Sequence, residues 1–247
     1  MADAKQSASD EQAMLERFMR ALIDGDRAES RSIVARAFVS GHAGRELLET
    51  LAWPACALLD GLSRRDAIGS VAAHAATILL AQIVERIGSR LEVARLSGSR
   101  PPHAADPQRL LVFSGRAPLE ELAAGIFVLL AESEGFVPRF LGGGVESDEL
   151  FAEIGRSRPH AVVCYAVAAA DGPRIRRLLR MLAEHEPVRG LRVGGGGGLL
   201  NRVPGLAEEL GLHFVGETPF DLLAGLRSDF AEAPRGVAGA VQQGRAA

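Results

Sequence analysis

The sequence predicts an α/β protein in which a small helical bundle precedes a parallel, doubly wound α/β domain. This prediction rests on a change of pattern along the chain. Apolar residues recur at helical spacing through about the first ninety residues, and short apolar runs alternate with helical patterns from residue 110 onward. A segment rich in proline, serine and alanine separates the two parts, as an interdomain linker would.

The bundle prediction rests on four amphipathic segments joined by short links. The first begins at Met14, and the second ends at Gly41, because glycine commonly ends helices. The third begins near Arg45 and carries Pro54, which should kink or divide it because proline removes one helical hydrogen bond. The fourth, residues 66–91, is the longest. Four such helices with short connections pack as a bundle.

The α/β prediction rests on short apolar runs, each followed by a helical pattern. This alternation is typical of a parallel sheet with right-handed crossovers and helices on both faces. The predicted strands are residues 110–113, 136–141, 161–167, 191–193 and 213–215, and the predicted helices are residues 119–132, 147–156, 173–184, 204–210 and 219–227. The predicted divisions of the chain are a flexible tail at 1–10, the bundle at 11–96, a linker at 97–108, the α/β domain at 109–227 and a disordered tail at 228–247.

Composition and charge narrow the class of protein. The 247 residues are 47% hydrophobic with a net charge of −3, so the chain can bury a core and shows no global signature of nucleic-acid or anionic-membrane binding. Cys56 and Cys164 stand in different predicted domains and form no C-x-x-C pair, which argues against a disulfide framework or a thiolate zinc site. No signal peptide or uninterrupted membrane-length apolar run is visible, so we expect a soluble cytoplasmic protein.

Two glycine-rich segments follow predicted strands, where doubly wound sheets bind their ligands. Glycine has no side chain, so a ligand can lie directly against such backbone; a flexible turn is the alternative interpretation. Neither segment matches a dinucleotide fingerprint, and no Gly-Lys-Ser/Thr phosphate loop follows any strand. The segments are residues 142–144 and 194–198, and the predicted ligand contacts in them are Gly142, Gly143, Gly194, Gly195 and Gly196.

Four segments resemble motifs of one family. They are FVPRFLGGGVESDEL at 136–150, RPHAVV at 158–163, VGG at 193–195 and IGSVAAHAAT at 68–77. The family is that of the cobalamin-binding modules, which join a four-helix cap to a flavodoxin-like domain in methionine synthase, corrinoid carrier proteins and cobalamin-dependent photoreceptor regulators. The resemblance spans about residues 12–227. It implies a five-stranded flavodoxin-like domain and a cobalamin, or a related tetrapyrrole, held between that domain and the cap.

The positions below the expected cofactor depart from the family. The D-x-H-x-x-G motif, which supplies the lower axial histidine for cobalt, is replaced in the same register by Pro118, Glu120 and Ala123. Tyr165 replaces the serine that contacts the nucleotide base. Glu120 begins a predicted helix, where a carboxylate complements the dipole, and a carboxylate is a poor replacement for imidazole on cobalt. Tyr165 can fill the slot that buries the nucleotide tail, or it can be a strand-end aromatic with a surface hydroxyl.

The positions on the cap side are altered as well. The tryptophan that covers the upper cobalt face in some members falls at Ser63, while Trp53 lies elsewhere, and the glutamate before the cap histidine is Ala73. His74 itself remains, on a helical line starting at Val71 that we expect to face the second domain. Imidazole is a common axial ligand of metal tetrapyrroles, so His74 is predicted to contact the cofactor and its metal; a hydrogen-bonded core histidine is the alternative.

Three functions are compatible with a preserved scaffold and altered cofactor positions. The first is a non-catalytic sensor or regulatory protein that holds cobalamin or a related tetrapyrrole, with contacts from His74, Glu120, Tyr165 and the glycines. The second is a scaffold that has lost the cofactor and acts as an antirepressor-like interaction module. The third is a corrinoid carrier subunit in methyl transfer, which the missing axial motif disfavours. No nucleophile–histidine–acid arrangement is apparent, so no enzyme is predicted.

The predicted partners are the tetrapyrrole and a transcription factor or other regulatory protein. No DNA-binding helix-turn-helix precedes the bundle, and the arginines at 174, 176, 177 and 180 lack interleaved aromatic residues. Direct nucleic-acid binding and membrane binding are therefore not predicted, and a homo-oligomer is compatible with the sequence. We expect residues 194–198 to face the same space as His74. We also expect cobalamin binding to be weak or absent, and, if cobalamin binds, no protein group to coordinate cobalt from the Glu120 side.

Overall fold

The structure is a computed structural model that describes residues 2–97, 107–165, 172–184 and 191–232. The cap consists of α1 (Ala2–Ile23), α2 (Arg27–Val39), α3 (Gly44–Leu47), a π-helical turn (Leu48–Ala52), α4 (Trp53–Arg64) and α5 (Ser70–Ser97). The second part consists of β1 (Arg109–Ser114), α6 (Pro118–Ser133), β2 (Val137–Gly143), α7 (Ser147–Ser157), β3 (Ala161–Tyr165), α8 (Gly172–Glu184), β4 (Arg192–Gly196), α9 (Gly198–Arg202), α10 (Leu206–Glu209), β5 (Phe214–Gly216) and α11 (Pro219–Glu232).

The sheet confirms the predicted doubly wound topology. Its five strands are parallel and lie in the order β2-β1-β3-β4-β5, which is the flavodoxin-like order. The direction of winding reverses between β1 and β3. Ligands of such sheets bind beyond the carboxyl ends of the strands at this reversal, so the ends of β1 and β3 are where a site is expected.

The apolar core continues from the cap into one face of the sheet. One cluster joins Leu80 and Ile87 of the cap to Phe127 of α6 and to Val112 and Val163 of the sheet. A second cluster covers the opposite sheet face with α7 and α8. The cap and the α/β part approach closely, because a Cβ on Gly88 of α5 would stand 2.6 Å from the Leu129 side chain of α6. The cap is therefore fixed to the sheet through α6.

Pro54 divides the third predicted helix, as expected, and a π-helical turn accommodates it. The backbone N–H of Trp53 donates to the carbonyl of Leu48, five residues back, and Pro54 then stands in the first turn of α4, where a missing N–H is tolerated. A π turn inserts one extra residue and so changes which side of the helix faces the core. Beyond it Cys56 is buried, whereas Leu58 is exposed.

Both ends of the described chain are more helical than predicted. Helix α1 begins at Ala2 and α11 ends at Glu232, so the tail predictions are wrong at residues 2–10 and 228–232. Residues 2–10 show no apolar period, but alanine, lysine and glutamine are good helix formers that extend a helix whose apolar residues begin later. Residues 233–247, and residues 98–106 of the predicted linker, lie outside the described residues.

The predicted helix at 204–210 is divided. Helix α9 precedes Pro204, and the single turn of α10 follows Gly205, whose φ of 79° is a left-handed conformation that favours glycine. The predicted strand at 161–167 is described only as far as Tyr165. The glycine segments after the second and fourth predicted strands also differ from expectation, because Gly142 and Gly143 belong to β2 and residues 194–196 to β4.

Within the described residues, helix α5 has the length and apolar composition of a membrane-crossing helix. Of its most apolar 18-residue window, 44% is buried inside the molecule. Buried residues such as Leu80, Ile83 and Ile87 pack against the other cap helices and α6. In this structure the apolar face of α5 is therefore part of the cap core.

Candidate functional site

A cavity of about 490 Å³ lies between the cap and the carboxyl ends of the strands. The cap contributes α4 and the start of α5. The α/β part contributes the end of β3, the start of α6, and residues that directly follow β4 and β5, including α9. The lining residues are Trp53, Cys56, Ala57, Asp60, Ser63, Arg64, Ser70, Ala73, His74, Thr77, Ala117, Pro118, Leu119, Glu120, Ala123, Tyr165, Gly197, Gly198, Asn201, Arg202 and Glu217. This volume is within the ordinary range of small-molecule sites.

The cavity has a largely apolar floor and a polar rim. Its floor is formed by the buried residues Cys56, Glu120, Ala123 and Tyr165 together with half-buried Leu119. The exposed rim residues are Ser63, Arg64, Ser70, His74, Asn201, Arg202 and Glu217. An apolar interior with a few placed polar groups is typical of a site that encloses an organic ligand.

Tyr165 brings a buried hydroxyl to the floor of the cavity. It is the last residue of β3, paired in register with Ser114 and Gly196, and it is 1% exposed. Its buried hydroxyl has no hydrogen-bond partner among the described residues. Burial, with smaller effects of Cys56 and Asp221, raises the pKa of the Tyr165 hydroxyl well above its usual range. The group is therefore a neutral donor, which most buried tyrosines would have paired.

Cys56 is an inert neighbour of this hydroxyl. Its thiol donates a weak hydrogen bond to the backbone carbonyl of Leu119, with 3.7 Å between sulfur and oxygen. Burial, with a smaller effect of Asp60, raises the pKa of the Cys56 thiol to about 12. The thiol is protonated at neutral pH, and it is the thiolate that attacks electrophiles or binds metals. Cys56 therefore contributes shape to the floor, without nucleophilic chemistry.

Glu120 lies at the floor with its carboxylate turned to the start of α6. It is the third residue of the helix, and its Oε2 accepts the backbone N–H of Ala117 at 3.4 Å. This is the carboxylate half of a capping box, and the carboxylate also complements the helix dipole. Glu120 is 3% exposed. The sequence-predicted contact residue therefore has a local structural role and also borders the cavity.

His74 borders the cavity from the rim. The prediction that its helical line faces inward is wrong, because Val71 and Ile78 on that line are 82% and 48% exposed. The buried face of α5 instead carries Ala76, Thr77 and Leu80. His74 is the one imidazole among the described residues that line the cavity, and the start of α6 lines the same cavity.

The glycine run has a packing role over most of its length. A Cβ on Gly194 would stand 1.9 Å from the ring of Phe214, and a Cβ on Gly195 would stand 2.8 Å from Leu200 and Leu212. The prediction that the run follows its strand is thus wrong for residues 194–196, since they are strand residues with neighbouring side chains directly over their backbone. Gly197 and Gly198 line the cavity that His74 also lines, as expected for the end of the run.

The glycines after the second predicted strand lie away from the cavity. A Cβ on Gly143 would stand 2.2 Å from the carbonyl oxygen of Gly115, so this residue is glycine because two loops meet there. Gly142 has a φ of 70°, a left-handed conformation, and faces the Glu121 carboxylate. Gly142 and Gly143 are not among the residues that line the cavity.

The positions singled out by the altered motifs converge on the one cavity. They come from α4, α5, α6 and β3 and are far apart in sequence. They are Ser63, Ala73, His74, Pro118, Glu120, Ala123 and Tyr165. The structure therefore joins the altered cap-side and lower positions in a single space.

Several lining residues were not predicted from the sequence. Trp53 was expected to lie elsewhere, and Asp60, Arg64, Asn201 and Glu217 were not considered. A sequence pattern could have indicated the cap residues, because the cavity-lining positions of α4 recur at helical spacing along one side of the helix. These positions are 53, 56, 57, 60, 63 and 64. Asn201 donates from its side-chain amide to the Glu217 backbone carbonyl at 3.0 Å, a contact that no sequence spacing indicates.

The donor set fits some modes of tetrapyrrole binding and excludes one. A lower protein ligand for cobalt does not fit, because Glu120 stands in that position with its carboxylate engaged at the helix start. No group of three or more histidine, cysteine, aspartate or glutamate side chains that could hold a metal occurs among the described residues. His74 is the imidazole that the described lining offers to a metal from the cap side.

Comparison with solved structures shows the fold. The monomethylamine corrinoid protein of Methanosarcina barkeri matches with a TM-score of 0.72 and 13% identity, over 89% of this chain and 99% of its own. Two weaker matches have TM-scores below 0.5. A cobalamin-binding protein of Desulfitobacterium hafniense has a TM-score of 0.45 and 16% identity, over 87% of this chain and 98% of its own. The methanol:cobalamin methyltransferase complex of Methanosarcina barkeri has a TM-score of 0.46 and 14% identity, over 90% of this chain and 81% of its own. No protein-family model matches the sequence, and no curated protein matches it significantly. The chain therefore has the cap-and-sheet fold of a corrinoid protein.

Proposed function

We propose that this protein is a non-catalytic binding protein that holds a tetrapyrrole of the cobalamin class in the cavity between cap and sheet, and that it acts as a sensor or regulator. The observation that carries the proposal is the convergence of the altered cofactor positions on one cavity, with an apolar floor and an open polar rim. The fold it shares with a protein named as a corrinoid protein supports the same ligand class.

A regulatory role fits the cavity better than methyl transfer. A carrier cycles its cobalt between ligation states through a lower axial ligand and that ligand's second-shell partner. Here the lower position is Glu120, whose carboxylate caps α6. A bound tetrapyrrole would supply light absorption and a redox-active metal. The chain's own residues would enclose it, exclude water at the floor and couple it to the cap through α4 and α5.

The proposal is tested by closing the cavity from the cap. Ala73 is a half-buried residue of α5 that lines the cavity, so Ala73→Trp should fill the space that the ligand needs. We expect hydroxocobalamin, cobinamide or hemin, titrated by absorption, to bind the wild type. We expect the probe that binds to lose affinity about tenfold or more in Ala73→Trp.

Ala75→Trp is the matched control. Ala75 lies on the same helix but is exposed and is not among the lining residues, so the same bulk is added outside the cavity. Equal affinity of the two tryptophan variants would contradict the site. Failure of the wild type to bind any of the probes would contradict the ligand class and favour the cofactor-free interaction module instead.

A further inference from the structure

The floor of the cavity holds a hydrogen-bond donor that the described protein does not use. The Tyr165 hydroxyl is buried, has no partner among the described residues and belongs to a residue that lines the cavity. Leaving such a donor unpaired is costly, and native proteins seldom do so without a reason. The other buried hydroxyl of the lining, that of Thr77, donates to the Ala73 carbonyl at 2.8 Å. Of these two buried hydroxyls, that of Tyr165 is thus the one left for a ligand.

The residues around this hydroxyl favour a neutral acceptor group on the ligand over a negatively charged one. The Glu120 carboxylate borders the same floor, and the field of Asp221 acts on the tyrosine in the direction that disfavours negative charge. The cationic side chains of the lining, Arg64 and Arg202, stand at the exposed rim. A second carboxylate at the floor would bring a desolvated negative charge beside a like charge, whereas a neutral carbonyl would bring no charge and would be paired by the tyrosine hydroxyl.

We infer that Tyr165 is a specificity-determining residue whose hydroxyl donates a hydrogen bond to a neutral acceptor, an amide carbonyl, at the buried end of the ligand. The inference rests on the proposed function and goes further, because it names the chemical group of the ligand that lies at the floor of the cavity. It favours a macrocycle whose edge carries amides over one whose edge carries free carboxylates. Carboxylates would remain at the rim, near the arginines.

The test uses two corrinoids that differ in their edge groups and one conservative variant. Cobinamide has amide side chains, and cobyrinic acid has carboxylates in their place on the same macrocycle. We expect the wild type to bind cobinamide more tightly than cobyrinic acid. We expect Tyr165→Phe, which keeps the ring and removes the donor, to weaken cobinamide binding about tenfold and to reduce the preference between the two.

A second readout needs no ligand. Removing a buried donor that has no partner relieves its desolvation penalty, so Tyr165→Phe should raise the midpoint of thermal unfolding of the ligand-free protein by about 2–4 °C. Thr77→Val removes a hydroxyl that is already paired, and we expect no such gain from it. A lowered midpoint in Tyr165→Phe would mean that the protein itself uses the hydroxyl, which would overturn the inference.

The outcomes separate the two proposals. If the wild type binds a corrinoid and Tyr165→Phe binds both corrinoids unchanged, the inference is overturned and the proposed function stands. If the wild type binds no tetrapyrrole, the proposed function is overturned, and the ligand class inferred from it is overturned too. Loss of affinity in Tyr165→Phe together with a raised unfolding midpoint supports both.

Discussion

Tyr165→Ala is expected to lower the free energy of unfolding by about 3–5 kcal/mol, the usual cost of truncating a buried aromatic side chain. Tyr165 is among the largest fully buried side chains of the protein and packs in the core that joins the cap to the sheet. Its ring edge also lies over Gly196, where an added Cβ would come within 3.1 Å of the ring. Removing the ring leaves a void between strand and cap that neither can close alone.

Urea unfolding of wild type, Tyr165→Ala and Tyr165→Phe measures this prediction. Tyr165→Phe is the matched control because it retains the ring, so the large loss should be confined to the alanine variant. A decrease of less than about 1 kcal/mol in the free energy of unfolding of Tyr165→Ala would show that the ring does not support the interface.

The void left by Tyr165→Ala adjoins the existing cavity. We expect the enlarged space to accept cobalamin with its nucleotide tail more readily than the wild type does.

Restoring the family pattern at both lower positions therefore carries a cost that sequence alone does not reveal. The changes Glu120→His and Tyr165→Ser should favour cobalamin, since they return an imidazole and open the slot. Glu120 also completes the capping box of α6, and loss of a cap typically costs about 1 kcal/mol. Tyr165→Ser loses most of the ring packing as well. Tighter cobalamin binding by the double variant would thus accompany a less stable protein.

The sequence was informative about elements because each element has a local signal. The helical periods of the cap, the position of Pro54 and the alternation of strands and helices all reflect neighbours in the chain, and the structure has these elements. The resemblance added the register of Glu120 and Tyr165, which local patterns do not give. Both residues lie at the floor of one cavity.

The orientation of side chains was less accessible to sequence reasoning. The π-helical turn changes which side of α4 faces the core, and no single residue before Pro54 indicates that such a turn will form. The line through Val71 and His74 was expected to face the second domain, yet the packing of α5 against α6 and α1 covers the neighbouring face and leaves Val71 exposed. Which face of a mixed helix is covered depends on partners distant in sequence, and the same holds for the pairing of Asn201 with the backbone of Glu217.

The glycine run shows how one composition permits two interpretations that only packing separates. Glycine without a side chain can admit a ligand or a neighbouring side chain. In β4 the neighbour is Phe214 of the adjacent strand, whose ring lies over Gly194. Gly194 has no left-handed φ, so alanine can adopt its backbone conformation. The three atoms nearest to an added Cβ all belong to the ring of Phe214, which is therefore the obstacle to alanine.

Gly194→Ala is accordingly expected to destabilise the protein by about 1–3 kcal/mol, the typical cost of overpacking a core. Gly216→Ala should cost at least as much, since its Cβ would meet the backbone nitrogen of Leu222 at 2.0 Å and backbone cannot rotate away. The matched control is Gly155→Ala, at an exposed position of α7 with nothing within 4 Å of the added carbon. That change should stabilise the protein by about 0.5–1 kcal/mol through helix propensity.

A double-mutant cycle identifies the ring as the cause. Phe214→Ala removes the obstacle, so the combination with Gly194→Ala should be less destabilised than the sum of the single variants, with a coupling of about 1 kcal/mol or more. Chemical unfolding of the four proteins gives this number directly. If Gly194 instead formed a ligand wall, Gly194→Ala would leave the stability of the ligand-free protein unchanged and would weaken only the binding of the tetrapyrrole. Additive losses would also contradict the packing explanation, because they would place the strain of Gly194→Ala somewhere other than Phe214.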